Sequence, residues 1–149
     1  MNRKPREEIL MSVAVLISQR STCSRKRVGA IAAREGRVLV TGHNGAPAGF
    51  PHCIDQPNGC RLGPDGGCKD AVHAEANIIA FAARYGIPLE GAEIYTTCAP
   101  CISCAKLIIN AGVKKVIYLE PYRCTDGVEL LKQAGIIVEQ FSPSDIFGG

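Results

Sequence analysis

Residues 73–110 read HAEANIIAFAARYGIPLEGAEIYTTCAPCISCAKLIIN, and their pattern decides the fold. The run rich in Ala and Ile over 74–85 stops at Gly86, which predicts a helix with a glycine at its carboxyl end. A short strand is predicted over 93–97. The next segment, 100–110, opens with a proline and predicts a second helix. Helices and strands that alternate in this way predict right-handed β-α-β units, and hence a parallel portion of sheet covered on both faces.

Patterns on either side of this stretch extend the prediction. The further elements are an amphipathic helix over 5–20, an antiparallel hairpin over 28–34 and 37–42 with a turn at 35–36, a strand over 114–119, a helix over 128–134 and a last strand over 136–140. The segment 43–72 has little periodicity, and a structureless loop of that length inside a compact domain needs something to hold it.

Length and composition indicate a single domain over 1–149. The chain is 46% hydrophobic and 21% charged, which suffices for an ordinary core. It contains neither a run of about 18 apolar residues nor a charged and then apolar leader, so we expect a cytoplasmic protein that does not enter a membrane.

The charge balance argues against a nucleic-acid-binding role. A net charge of +3 is too small to indicate nonspecific binding to phosphate backbones. A local basic cluster comprises Arg20, Arg25, Lys26 and Arg27. It is interpreted either as solvated surface or as the place for a small anionic ligand.

Eight cysteines in such a chain are better explained as metal ligands than as disulfides, because a reducing compartment keeps thiols free. Cys101 and Cys104 are spaced i, i+3, which brings them to one side of a helix. His73 precedes the other helix, so three ligands converge from two helix N-termini, where the dipole favours thiolate over thiol. Three protein ligands leave the fourth position of a tetrahedral zinc open, as in catalytic sites.

Glu75 lies two residues after His73 and is the candidate catalytic residue. Zinc lowers the pKa of water towards about 7, and the carboxylate of Glu75 would shuttle the proton. Alone, the Cys-x-x-Cys pair also fits a redox pair or half of a zinc ribbon, and a lone histidine near a helix start is usually structural. The conjunction of all these residues predicts zinc-assisted hydrolysis.

A second set of cysteines lies outside this pattern. The set is Cys23, Cys53, Cys60 and Cys68, and it suits a closed tetrahedral zinc that attaches the 43–72 loop to the body. His52 could replace one of the four, and free thiols remain the alternative. Cys98 is interpreted as a small apolar residue at a strand end and Cys124 as a loop thiol.

Four segments carry a resemblance to a known family. They are 20–30 (RSTCSRKRVGA), 42–49 (GHNGAPAG), 73–77 (HAEAN) and 97–106 (TCAPCISCAK). The H-x-E and P-C-x-x-C patterns are the signature of zinc nucleobase deaminases. With the first two segments, the chain resembles the deoxycytidylate deaminase family within the cytidine-deaminase-like superfamily.

The resemblance implies a three-layer α/β/α fold with a five-stranded mixed sheet, and hydrolytic deamination of dCMP to dUMP. Glu75 would pass protons from water to N3 of the cytosine and to the departing amine. At matching positions, Asn44 would bind the sugar, Arg25 and Lys26 the 5′-phosphate, and Tyr122 would lie near the nucleotide. Ala74 belongs to the same substrate-binding set.

The resemblance also implies a homo-oligomer, often a hexamer, with activation by dCTP together with Mg²⁺ and inhibition by dTTP. Two alternatives stay open. One is a deaminase of another substrate, such as tRNA adenosine, cytidine or guanine, although a tRNA enzyme needs an extended basic surface. The other is a non-catalytic zinc module that binds DNA or a protein partner, which would have no use for an acid at Glu75.

Overall fold

The structure is a computed structural model that describes residues 2–147. Its helices are α1 Arg6–Ser18, α2 Ala74–Tyr85, α3 Ile102–Asn110, α4 Asp126–Gln133 and α5 Pro143–Phe147. Its strands are β1 Gly29–Arg34, β2 Arg37–His43, β3 Glu93–Cys98, β4 Lys115–Glu120 and β5 Ile137–Gln140. A single 3-10 turn, Cys53–Asp55, interrupts the long segment between β2 and α2.

The five strands form one mixed sheet in the order β2-β1-β3-β4-β5. Strand β1 runs antiparallel to both of its neighbours, whereas β3, β4 and β5 run parallel. Tyr95 in the central strand pairs with Ile31 on one side and Ile117 on the other. The expected five-stranded sheet, an antiparallel hairpin joined to parallel β-α-β units, is confirmed.

The turn of the hairpin explains how its two strands meet. Glu35 and Gly36 both have positive φ, 52° and 77°. That pair of conformations belongs to the type I′ turn, whose twist matches the twist of the flanking strands. The predicted turn at 35–36 is confirmed.

Helices cover both faces of the sheet and complete three layers. On one face α1 and α5 pack on a core that includes Met11, Ile31 and Tyr95. The other face carries α2, α3 and α4, with Ile78 and Ile108 at its centre. None of the helices described over 2–147 combines the length and apolar character needed to cross a membrane.

Three helices differ in their bounds from the predictions, since α1 ends at Ser18 and not at residue 20, and one helix was missed. Helix α3 begins at Ile102 and not at Pro100, because Cys101 has an extended backbone and precedes the first helical residue. Helix α4 begins at Asp126, two residues before the predicted start. Helix α5 lacks enough periodicity for recognition, but tertiary packing holds it, since Ile146 is buried against α1.

Backbone hydrogen bonds join the two ends of the segment between β2 and α2. Gly45 and Val72 exchange backbone hydrogen bonds of 3.1 and 2.7 Å, which close its base. Because β3 and β4 run parallel, their carboxyl ends lie at one edge of the sheet, where open α/β sheets place their ligands. The N-termini of α2 and α3 lie at this edge too, and the functional residues are gathered there.

Candidate active site and metal centres

His73, Cys101 and Cys104, here called the first cluster, are brought together as predicted. Nδ1 of His73 lies 3.4 Å from Sγ of Cys101 and 3.5 Å from Sγ of Cys104. Around a tetrahedral zinc, ligand nitrogen and sulfur atoms lie about 3.6 Å apart, from bond lengths of about 2.1 and 2.3 Å. The donor set and its spacing therefore fit zinc.

Two helix N-termini build the first cluster. His73 immediately precedes α2 and Cys101 immediately precedes α3, while Cys104 lies in the first turn of α3. The amide N–H of Cys104 donates to the sulfur of Cys101. Hydrogen bonds from Cys104 and His73 lower the pKa of the Cys101 thiol. A thiolate at this position suits zinc, which binds the deprotonated form.

The first turn of α4 packs against the backbone of Pro100 and Cys101. A Cβ atom added to Gly127 would lie 2.3 Å from the carbonyl oxygen of Pro100 and 2.7 Å from the carbonyl carbon of Cys101. Only glycine allows so close an approach of two backbones. The position of Cys101 thus depends on a glycine in a later helix.

Glu75 is buried, with 4% of its surface exposed, and it lines the same cavity as His73. The hydroxyl of Thr96 in β3 donates to Oε1 of Glu75 at 2.8 Å. Burial raises the pKa of the Glu75 carboxyl, and the hydrogen bond from Thr96 opposes that rise. A carboxyl with a raised pKa is a stronger base than an ordinary carboxylate, which favours a role in proton transfer.

The cavity has a volume of about 340 Å³ and an open mouth. All five residues predicted to bind substrate line it, namely Arg25, Lys26, Asn44, Ala74 and Tyr122. The site thus gathers residues from the loop after α1, the end of β2, the start of α2 and the loop after β4.

Asn44 has a structural task in addition to its place in the cavity wall. Its Oδ1 accepts from Ser21 Oγ at 2.5 Å and from the amide of Val28 at 2.9 Å. Its Nδ2 donates to the carbonyl of Lys26 at 2.8 Å. An amide nitrogen carries two hydrogens, and this bond to Lys26 uses one of them.

Lys26 is oriented by two neighbours at the edge of the cavity. Its ammonium group lies 3.3 Å from Oε2 of Glu120 and 3.5 Å from Sγ of Cys98. Cys98 is buried and lines the cavity. Its interpretation as packing at a strand end therefore omitted its contact with a basic residue of the site.

Sequence reasoning missed Thr96 and Arg123. Thr96 lies in a strand whose alternation gives no sign that its hydroxyl faces a carboxylate. Arg123 lines the cavity beside Tyr122, with its guanidinium carbon 5.3 Å from the centre of the tyrosine ring. The available signal for Arg123 was its position directly after an aromatic residue at the carboxyl end of a parallel strand.

Cys53, Cys60 and Cys68, here called the second cluster, come together in the long loop. Their sulfur atoms lie within 4.8 Å of one another. The hydrogen bond between Cys60 and Cys68 raises the pKa of Cys60 to about 12. Although burial opposes it, the same bond lowers the pKa of Cys68. Three soft ligands this close suit a tetrahedral zinc.

The fourth predicted member, Cys23, is not within that distance of all three. It is buried beside the loop, where the carbonyl of Thr22 accepts from the amide of Ile54 at 3.1 Å. Burial is the main cause of the raised pKa of Cys53, and the nearby sulfur of Cys23 adds to that rise. His52 is exposed and lies outside the cluster. All eight cysteines are free.

Comparison with known proteins identifies a family whose members are similar to this chain. Residues 4–120 match the family described as the cytidine and deoxycytidylate deaminase zinc-binding region. The chain is 44% identical to ComE operon protein 2 of Bacillus subtilis (strain 168), over 94% of this chain and 73% of that protein. It is 33% identical to the deoxycytidylate deaminase of Enterobacteria phage T4, over 87% of this chain and 86% of the relative.

Among solved structures, the dCMP deaminase of the cyanophage S-TIM5, crystallised with dCMP and dUMP, has a similar fold. Its TM-score is 0.82 at 40% sequence identity, with coverage of 94% of this chain and 100% of the other. Sequence, fold and donor set agree, and the chain belongs to the cytidine and deoxycytidylate deaminase family.

Proposed function

We propose that this protein is a zinc-dependent deoxycytidylate deaminase, which converts dCMP and water into dUMP and ammonia. The observation that carries the proposal is one cavity that holds two members of a zinc-fitting cluster, a buried carboxyl and a basic mouth. Relatives named deoxycytidylate deaminase support the choice of substrate.

Glu75 moves the protons of the reaction. Zinc held by His73, Cys101 and Cys104 would supply Lewis acidity, which would let water act as a nucleophile near neutral pH. The carboxylate of Glu75 accepts a proton from that water and delivers it to N3 of the cytosine. Glu75 then takes the second proton from the oxygen now bonded to C4 and transfers it to the exocyclic nitrogen, so that the bond from C4 to that nitrogen breaks, ammonia leaves and C4 keeps a carbonyl oxygen.

The other residues of the cavity bind and orient the nucleotide. Thr96 holds one oxygen of Glu75, so that the second oxygen is directed to the reacting atoms. The second N–H of Asn44 binds the sugar, and Tyr122 and Ala74 pack against the nucleoside. Arg25 and Lys26 supply positive charge to the 5′-phosphate, and a guanidinium can bind phosphate through two hydrogen bonds.

Ammonia release tests the substrate. The purified protein is assayed in parallel on dCMP, deoxycytidine, CMP and a tRNA anticodon stem, and dCMP is expected to give the highest kcat/KM. Activity confined to an unphosphorylated nucleoside, or to the tRNA stem, would contradict the assignment. No ammonia from any of the four would favour a non-catalytic zinc module.

We propose that the second cluster holds a structural zinc, with Cys23 as the fourth ligand. Support comes from its buried position next to the loop, where the neighbouring Thr22 accepts a backbone hydrogen bond from Ile54, the residue after Cys53. Elemental analysis should give two zinc ions per chain, and one in Cys60→Ser. The exposed Cys124 offers a matched control, since Cys124→Ser should retain both ions. One ion in the parent protein would remove the second site.

We also propose how the protein is regulated, how it assembles and where it is located. The family resemblance supports activation by dCTP with Mg²⁺, inhibition by dTTP and a hexamer. Exposed apolar side chains on α3, at Ile102 and Leu107, support a homo-oligomer. Eight free cysteines support a reducing, cytoplasmic location. Turnover measured with and without dCTP, and sedimentation of the protein, test the first two points.

A further inference from the structure

Two arginines from opposite sides of the cavity reach the same short turn at its mouth. Nη1 of Arg25 donates to the carbonyl of Gly66 at 2.8 Å, and Nη2 of Arg123 donates to the carbonyl of Asp65 at 3.2 Å. The two acceptors belong to consecutive residues. The guanidinium groups therefore converge over the mouth, although one precedes β1 and the other follows β4.

The turn belongs to a small hairpin over residues 61–69, here called the tip hairpin. The amide of Lys69 donates to the carbonyl of Arg61 at 2.8 Å, and the amide of Gly63 donates to the carbonyl of Gly67 at 2.7 Å. Gly66 has a φ of +79°, as a tight three-residue hairpin loop requires. The hairpin thus presents its two carbonyls at a fixed position.

The carboxylate of Asp65, the acidic residue of the tip hairpin, already accepts a hydrogen bond from within the hairpin. The carboxylate of Asp65 accepts from the amide of Gly67 at 2.9 Å, and that bond lowers the pKa of Asp65. Arg123 is bound through the backbone of this residue and not through its carboxylate. Within the part of the chain that the structure describes, each of the two guanidiniums makes one hydrogen bond and forms no ion pair.

Lys26 differs from both arginines. Its ammonium group faces Glu120 and Cys98, so a phosphate would have to compete with a carboxylate for it. Arg123 forms no ion pair within the described residues, although the exposed carboxylate of Asp65 lies near it, and its guanidinium carbon lies 5.3 Å from the ring centre of Tyr122. Stacking on an aromatic ring holds the plane of a guanidinium and leaves its edge donors available.

We propose that Arg123 binds the 5′-phosphate of the substrate together with Arg25, and that the tip hairpin holds both guanidiniums in place before the nucleotide arrives. This inference rests on the proposed function and adds a residue that selects the phosphorylated substrate. A phosphate dianion is a stronger acceptor than the neutral carbonyls of 65 and 66, because both partners are then charged. The arginines keep enough free donors to bind the phosphate while they stay near the hairpin.

The test compares phosphorylated and unphosphorylated ligands in Arg123→Gln. Loss of one charge-assisted contact should lower kcat/KM for dCMP about 10- to 100-fold. It should leave kcat/KM for deoxycytidine unchanged. Calorimetric titration with dUMP and deoxyuridine gives the same comparison without turnover, and only dUMP binding should weaken. Arg123→Lys should restore part of the loss, since it keeps the charge but not the planar fork.

Arg84→Gln provides the matched control. Arg84 is also an exposed arginine placed over a neighbouring tyrosine, with its guanidinium carbon 5.6 Å from the ring centre of Tyr85, but it does not line the cavity. Equal losses for dCMP and deoxycytidine in Arg123→Gln would overturn the inference, as would no loss for dCMP. Failure of the proposed function would be distinct, because the unaltered protein would then release no ammonia from dCMP.

Discussion

The first and second clusters have similar donor atoms, but different parts of the fold hold those atoms in place. The first cluster stands on the N-termini of α2 and α3, at the carboxyl edge of the sheet, with the buried acid Glu75 beside it. The second cluster joins three points of an irregular loop, and no carboxyl is part of it. Both adjoin one cavity, since Cys68 and His73 line the same wall.

This difference supports the two tasks proposed for the clusters. Rigid helix ends and a buried acid suit a site that must hold a reacting molecule in a fixed geometry. A loop held only by turns and one small hairpin gains stability from a bound metal, because binding free energy then contributes to folding. The donor atoms alone do not separate a catalytic centre from a structural one. Their surroundings do.

Replacement of Glu75 should have the largest effect and should distinguish the first cluster from the second most clearly. In Glu75→Gln we expect kcat to fall about 10²- to 10⁴-fold, the usual contribution of general acid–base catalysis. Zinc content and thermal stability should stay near those of the parent, because the amide preserves the shape of the side chain. Glu129→Gln, an exposed change on α4, is the control. A Glu75→Gln protein with parental turnover would refute the role of Glu75.

Damage to the second cluster should affect the loop and spare the chemistry of the first. In Cys68→Ser we expect one zinc ion to be lost and trypsin to cut faster after the exposed residues Arg61 and Lys69. Zinc at the first cluster should remain. Cys124→Ser should show the parental digestion rate. If Cys68→Ser is cut no faster than the parent, the metal does not stabilise the loop.

Loss of the hydroxyl that faces Glu75 should have an intermediate effect. In Thr96→Val the shape is kept, but the donor to Oε1 is lost, which should cost about tenfold or more in kcat. Because that hydrogen bond lowers the pKa of Glu75, its removal should move the acidic limb of the pH–kcat profile to higher pH. Thr41→Val, an exposed change on β2, should move neither. An acidic limb that stays in place in Thr96→Val would argue against this coupling.

A change in α4 should have the smallest effect on turnover, because its main effect is on stability and on the backbone of Cys101. In Gly127→Ala the added methyl meets the backbone of Pro100 and Cys101, and such overpacking costs about 1–3 kcal/mol. We expect a lower Tm and weaker retention of one zinc ion against a chelator, while the second cluster keeps its ion. Gln133→Ala, at an exposed position of the same helix, should be nearly neutral. Equal loss of both ions would show that α4 does not support Cys101 selectively.

Much of this arrangement could be predicted from local pattern. The helix over 74–85, the hairpin and the three parallel strands follow from periodicity and turn residues, and the structure confirms them. The start of α3 was misplaced by two residues because proline is common at a first helical position, whereas here it lies in the approach to the helix. Helix α5 depends on its contact with α1 and had no local signal.

The sequence by itself determined which residues could bind zinc, because the spacing of Cys101 and Cys104 and the position of His73 are properties of neighbouring residues. Tertiary structure alone decided that Thr96 faces Glu75, that Glu120 engages Lys26 and that Arg123 reaches the mouth of the cavity. It also set the sulfur of Cys23 more than 4.8 Å from at least one member of the second cluster, although Cys23 is buried beside the loop. The physical reason is that these contacts join residues far apart in the chain, and their distances are set by how the layers pack, which no local pattern encodes.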